Sequence, residues 1–135
     1  MAFDIGGKRT GIAVTDPLQL IATGLTTIDA GSLLSFVKSY LQQEVVERFV
    51  VGWPTNWDDT PTHGTAIAAK AIALLSKHFP HIPIEKVDER YTSKMAKDAL
   101  LQMGLKKKDR RDKKIVDEVA AAILLQDYLR SIQGA

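Results

Sequence analysis

Four places along the chain carry residues that can do chemistry together. Asp4 ends a short apolar run, Met1-Ala2-Phe3, and the glycine pair Gly6-Gly7 and the basic pair Lys8-Arg9 follow closely. Asp88-Glu89 ends a second apolar stretch, and Asp117 lies near the start of a long apolar run. Lys106 to Lys114 reads KKKDRRDKK, a local balance of +5 that leaves −3 on the rest of a chain whose net charge is +2. Carboxylates brought together repel unless a cation neutralises them, and magnesium prefers oxygen ligands. A basic segment on a slightly acidic body suits a polyanion. The chemistry this set points to is metal-assisted work on phosphate. Singly, each feature has an ordinary reading: a hairpin Asp4, a solvent-facing Asp88 or Glu89, a first-turn helix acid at Asp117, a solvated lysine-rich loop.

The elements must therefore bring the acids together. Met1 to Asp4 and Gly11 to Val14 read as two strands joined by a tight turn, with Gly6-Gly7 expected to supply positive φ. Ile21 to Ile28 reads as a third strand completing a meander. Ser32 is placed to cap a helix whose apolar positions run from Leu33 to Leu41. Phe49 to Gly52 reads as a buried central strand. An alanine-rich helix spans Thr62 to Phe79, its buried stripe expected at Ile67, Ala71, Leu74 and Leu75. Ile84 to Val87 is the fifth strand and ends at Asp88-Glu89-Arg90. A helix from Thr92 or Ser93 through Met103 stops at Gly104. The last helix, from about Lys113 to Ile132, is apolar nearly all round and must lie against the sheet. Asp117 is better placed than Glu118 to face that sheet, because Ala120, Ala121 and Leu124 fall near its side. The order implies an α/β fold, a mixed five-stranded sheet flanked by helices.

Composition sets the outer bounds. A chain of 135 residues, 45% hydrophobic and 25% charged, is expected to form one domain over residues 1–135 and to bury roughly two-thirds of its unfolded surface. The absence of cysteine excludes disulfides and thiolate zinc sites and fits a reducing compartment. Without a basic-then-apolar leader or a membrane-length apolar run, a cytoplasmic protein is expected. His63, His78 and His81 share no metal-ligand spacing and read as surface or capping residues. Trp53 reads as cover for a core edge, while Trp57 fits either that or base stacking. Thr15 and Thr92 suit phosphate capture, a strand or a helix cap equally.

Four motifs in series, Asp4-x-Gly6-x-Lys8-Arg9-x-Gly11-x-Ala13-Val14-x-Asp16, Val51-Gly52-x-Pro54, Asp88-Glu89-Arg90-x-Thr92 and Asp117-x-x-Ala120-Ala121, span essentially the whole chain. In this combination the chain resembles the YqgF-type Holliday-junction resolvases, whose members are described as junction resolvases or as processors of the 5′ end of pre-16S ribosomal RNA. The resemblance implies a ribonuclease H-like fold and a nuclease using two divalent metals, Mg2+ or Mn2+. It places the catalytic acids at Asp4, Glu89 and Asp117, with Asp88 retained as an alternative metal ligand. It turns Lys8 and Arg9 toward the substrate backbone and gives Arg90 a phosphate or a neighbouring carboxylate to orient. The basic run, with Lys106, Lys107, Lys108, Arg110 and Arg111, is expected to hold structured RNA or branched DNA, and a homodimer would suit two symmetric cuts.

The chain departs from the family pattern twice. Only three residues precede Asp4, so a shortened first strand is expected, and Asp59 stands near where the family tends to have glycine. Two rivals belong to other functional classes. An actin-like nucleotide-binding fold uses a similar glycine hairpin but needs two such domains, and a non-catalytic nucleic-acid-binding module keeps the fold without the chemistry.

Overall fold

The computed structural model describes residues 1–54, 61–88, 98 and 112–133. The opening meander is β1 (Ala2–Ile5), β2 (Arg9–Thr15) and β3 (Ala22–Asp29), antiparallel throughout. A 3-10 turn, Ala30–Ser32, leads into α1 (Leu33–Leu41). Then come β4 (Phe49–Trp53), α2 (His63–His78), β5 (Ile84–Asp88) and the long α3 (Lys113–Gln133). The sheet order is β3-β2-β1-β4-β5, with β1, β4 and β5 mutually parallel. This is the mixed five-stranded α/β sheet that the element order implies.

Period-two alternation divides the side chains of the sheet between two cores. Phe3, Ile5, Ile12, Phe49 and Val51 pack with Leu33 and Val37 of α1 and with Ala68, Ala71 and Leu75 of α2. Phe3 and Phe79 each meet Phe49 in an edge-to-face pair, with centroids 5.6 and 5.9 Å apart. The other face carries smaller residues, Ala2, Ala13 and Val50, against Ala121 and Leu125 of α3. Small side chains let that helix lie close to the sheet. Gly11 and Gly24 bring it closer still, since a Cβ on Gly24 would meet the Glu118 carbonyl oxygen at 3.1 Å.

Several local expectations are corrected. Neither Gly6 nor Gly7 takes the left-handed backbone; Gly6 is needed because a Cβ there would lie 2.7 Å from the Arg9 carbonyl oxygen. That same carbonyl accepts the Gly6 amide at 2.9 Å and closes the hairpin. Ser32 stands at the α1 N-cap without a side-chain cap bond, because the preceding 3-10 turn leaves it near helical geometry, at φ −96° and ψ 6°. In α2 the buried stripe runs through Thr65, Ala68, Ala71 and Leu75, whereas Leu74 is 42% exposed. Thr62 and Thr65 form a reciprocal cap at the start of α2, and the Thr65 hydroxyl also donates to the Pro54 carbonyl. Pro54 is thereby tied to the first turn of α2. The expected helix from Thr92 or Ser93 through Met103, and Gly104 after it, lie outside the described residues.

Candidate active site

Alternation along β1 puts Asp4 on the face of Ala2, the face covered by α3. Asp4 pairs across the ladder with Gly11, so these two residues share that face. A Cβ on Gly11 would fall 2.1 Å from the carbonyl oxygen of Asp117, which means the first turns of α3 rest directly on β2 beside Asp4. The start of α3 is held by Asp112, whose carboxylate accepts the Lys114 amide at 2.9 Å. Thr27 of β3 adds a second tether, its hydroxyl donating to the Lys114 carbonyl at 2.7 Å.

Asp4 and Asp117 line one cavity of about 340 Å3, together with Gly6, Gly7, Lys8, Arg9 and Lys113. A strand-end acid and a helix acid separated by more than a hundred residues of sequence thus share a space with the cations of the hairpin and of α3. Arg9 Nε donates to Asp117 Oδ2 at 3.0 Å, and both side chains are partly exposed, at 29% and 23%. Lys8 and Lys113 are exposed at the rim. Glu118 has its backbone against Gly24 of β3 and does not line this cavity.

The other expected site residues divide by position. Cross-strand register pairs Asp88 with Trp53, whose ring packs toward the α1–α2 core with Lys86 Nζ 4.1 Å from its centroid. Asp88 therefore belongs to the sheet face opposite Asp4 and Asp117. Glu89, Arg90, Thr92, Trp57, Asp59, Lys106, Lys107, Lys108, Arg110 and Arg111 lie outside the described residues. Thr15 sits at the far end of β2, lining a separate cavity with Met1 and Ile132. His63, His78 and His81 are all exposed. Lys113 and Lys114 close the basic run that the sequence marks for a polyanion, whereas the capping role of Asp112 is not among the sequence expectations. The signal for Asp112 was present, because an aspartate directly before a helical apolar run is a capping pattern.

The donors suit a hard divalent cation, since Asp4 and Asp117 offer carboxylate oxygens and the chain has no cysteine. Among the described residues no group of three His, Asp or Glu side chains gathers tightly enough to hold a metal ion. A metal ion in this cavity would need donors beyond these two acids.

A sequence profile of the RuvX Holliday junction resolvases matches residues 1–131. The chain belongs to that family. A relative from Christiangramia forsetii, named "Putative pre-16S rRNA nuclease", is 49% identical over 129 residues, covering 96% of each chain. Relatives of the same name from Flavobacterium psychrophilum and Phocaeicola vulgatus are 46% and 48% identical over 129 and 131 residues, covering 96% and 97% of this chain and 94% of each relative. Within the RuvX family the mixed sheet takes its place as a ribonuclease H-like fold, and the family's chemistry is that of a nuclease. No helix among the described residues is long and apolar enough to cross a membrane.

Proposed function

We propose that this chain is a metal-dependent nuclease that hydrolyses phosphodiester bonds in structured nucleic acid, either at the 5′ end of pre-16S rRNA or in a Holliday junction. The observation that carries this reading is the joint placement of Asp4 and Asp117 on one cavity with Lys8, Arg9 and Lys113. In the proposal Asp4 and Asp117 hold Mg2+ or Mn2+, with Glu89 as the third acid. Asp88 is set aside, because its register turns it to the other face. When bound, the metal supplies an activated water and stabilises the leaving oxygen. The chain's own cations do the positioning. Lys8 and Lys113 draw the phosphate backbone to the rim, and Arg9 stands between substrate and Asp117, able to exchange one anionic partner for the other. Arg90 and the run containing Lys106, Lys107, Lys108, Arg110 and Arg111 extend the same attraction.

The test is a cleavage panel of four-way DNA junctions, duplex DNA and precursor 16S rRNA, each with Mg2+ and with Mn2+. Metal-dependent cleavage of the precursor RNA or the junction supports the reading and selects between its two arms. Two symmetric cuts in a junction would call for a homodimer, which sedimentation of the protein–junction complex would reveal. Binding of these substrates without cleavage in either metal would favour the alternative, a nucleic-acid-binding module of the same fold. That alternative draws support from one feature, the ion pair that holds Asp117 against Arg9.

A further inference from the structure

We propose that a second cavity beside Arg9 is a subsite for a single-stranded nucleotide flanking the scissile phosphate. Occupancy there presupposes that the chain acts on nucleic acid, as proposed above. The cavity, about 460 Å3, opens at the free edge of β3, where that strand meets α1 and the start of α3. Arg9 lines it and also lines the Asp4–Asp117 cavity, so the two spaces adjoin through one side chain. A chain whose phosphate lies beside Asp4 and Asp117 can run past Arg9 into this neighbouring space.

The lining has the chemistry of a backbone track. Ser32, Ser35 and Ser39 line it from the α1 side, the Ser35 hydroxyl donating to the Ser32 carbonyl at 3.0 Å, and Lys114 adds a cation from α3. Hydroxyls and cations hold phosphate and sugar without reading bases. Phe36 brings an aromatic ring to the lining and is half-buried, stacked on Tyr40 at 6.2 Å between centroids. Aromatic rings beside a basic groove bind unpaired bases, because a base in a duplex has its faces covered by its neighbours. The volume is also that of a small-ligand pocket, on the order of hundreds of Å3, which accommodates a nucleotide or two. Among the described residues of the lining, Asp29 is the one acid, set against the cations Arg9 and Lys114.

Two exposed positions test the subsite in the full-length chain. Ser35→Glu puts a like charge against the phosphate path, and an acid in the first turn of α1 is compatible with the helix. Lys114→Ala removes the cation while keeping the backbone carbonyl that Thr27 uses. Binding is read by fluorescence anisotropy on short single-stranded RNA and DNA and on a blunt duplex; cleavage is read on substrates with and without a single-stranded flank. Ser35→Glu should weaken single-strand binding about fivefold or more and raise KM on the flanked substrate alike, leaving the blunt duplex within about twofold. Lys114→Ala should flatten the salt slope on single strands by about 0.7. Melting temperatures near wild type confirm that both variants fold. Losses that are equal on flanked and blunt substrates, losses absent from both, or a wild type that does not bind single strands overturn the subsite. Failure of the wild type to cleave anything overturns the nuclease reading instead, and the binding comparison still decides the subsite.

Discussion

Gly11 and Asp117 touch so closely that no side chain fits between them: a Cβ on Gly11 would stand 2.1 Å from the Asp117 carbonyl oxygen. Because Gly11 pairs with Asp4, this approach sets how far the helix acid lies from the strand acid. Gly11→Ala must push the start of α3 off β2. Overpacking typically costs about 1–3 kcal/mol, and the obstacle here is backbone, so a loss of about 3 kcal/mol in chemical denaturation is expected. Cleavage should fall further than stability, since Asp117 moves with the helix. A Gly11→Ala variant as stable and as active as wild type would show that the helix does not set the site.

Asp4→Asn keeps the shape of the side chain and removes its charge. The fold should survive, while metal-dependent cleavage is lost. Metal at about a hundred times its dissociation constant should stabilise the wild type by about 2.7 kcal/mol and the variant by much less. Calorimetric melting with and without Mn2+ reads this directly. Equal metal-induced shifts in the two proteins would remove Asp4 from the metal site.

Arg9→Ala separates a structural from a functional role for the ion pair. Partly exposed pairs contribute about 0–1 kcal/mol, so the melting temperature should hardly move. Releasing Asp117 from Arg9 should strengthen metal binding in titration calorimetry, while removal of the guanidinium from the phosphate path raises KM about tenfold. Weaker metal binding in Arg9→Ala would mean that Arg9 orients Asp117 as a ligand and does not compete for it.

Local patterns carried much of this architecture. The glycine hairpin, the five strands and the start of the last helix at Lys113 follow from turn residues and periodicity within short windows. Asp117 was separable from Glu118 because Ala120, Ala121 and Leu124 mark the buried side of the helix. Interactions between distant parts of the chain left weaker traces. Nothing in the residues near Arg9 announces a partner 108 positions away. The sheet face of Asp88 depends on the β4–β5 register, which no local pattern states. Ala68 takes the place of Leu74 in the buried stripe of α2 because helix orientation, and not side-chain hydrophobicity, chose which residues face the sheet.

Asp16 predicts a response to acid. Its carboxylate accepts the amides of Ile21 at 2.7 Å, Leu20 at 2.9 Å and Leu18 at 3.2 Å, organising the β2–β3 connection. The Ile21 amide above all holds its pKa below the ordinary 3.8, with desolvation opposing and the other amides assisting. A carboxylate depressed on folding contributes stability above its unfolded pKa and loses it as pH falls through the lower folded value. Hydrogen exchange should therefore show the Leu20 and Ile21 amides protected above pH ~4 and losing protection in stronger acid. Asp16→Asn should abolish that titration and leave the Asp4–Asp117 cavity, at the other end of β2, unaffected. Persistence of the acid step in Asp16→Asn would assign it to another group.

The basic run ahead of α3 predicts how binding responds to salt. Its last lysines show where it leads, since Lys113 lines the cavity of the two acids and Lys114 the adjoining one. Cations that precede them in sequence can meet the phosphate backbone near the scissile bond, attracting it without reading bases. Each phosphate neutralised contributes about −0.9 to the slope of log affinity against log salt on duplex DNA. Replacing Lys106, Lys107 and Lys108 with alanine should weaken binding alike across sequences and flatten that slope by about 0.9 for each phosphate no longer neutralised. The rate at saturating substrate should change far less, because the acids are untouched. Filter binding over a salt series, paired with single-turnover cleavage, measures both quantities. An unchanged slope and affinity in the triple variant would make the run a solvated loop whose charge serves solubility, and Lys8, Arg9 and Lys113 would then carry the phosphate attraction.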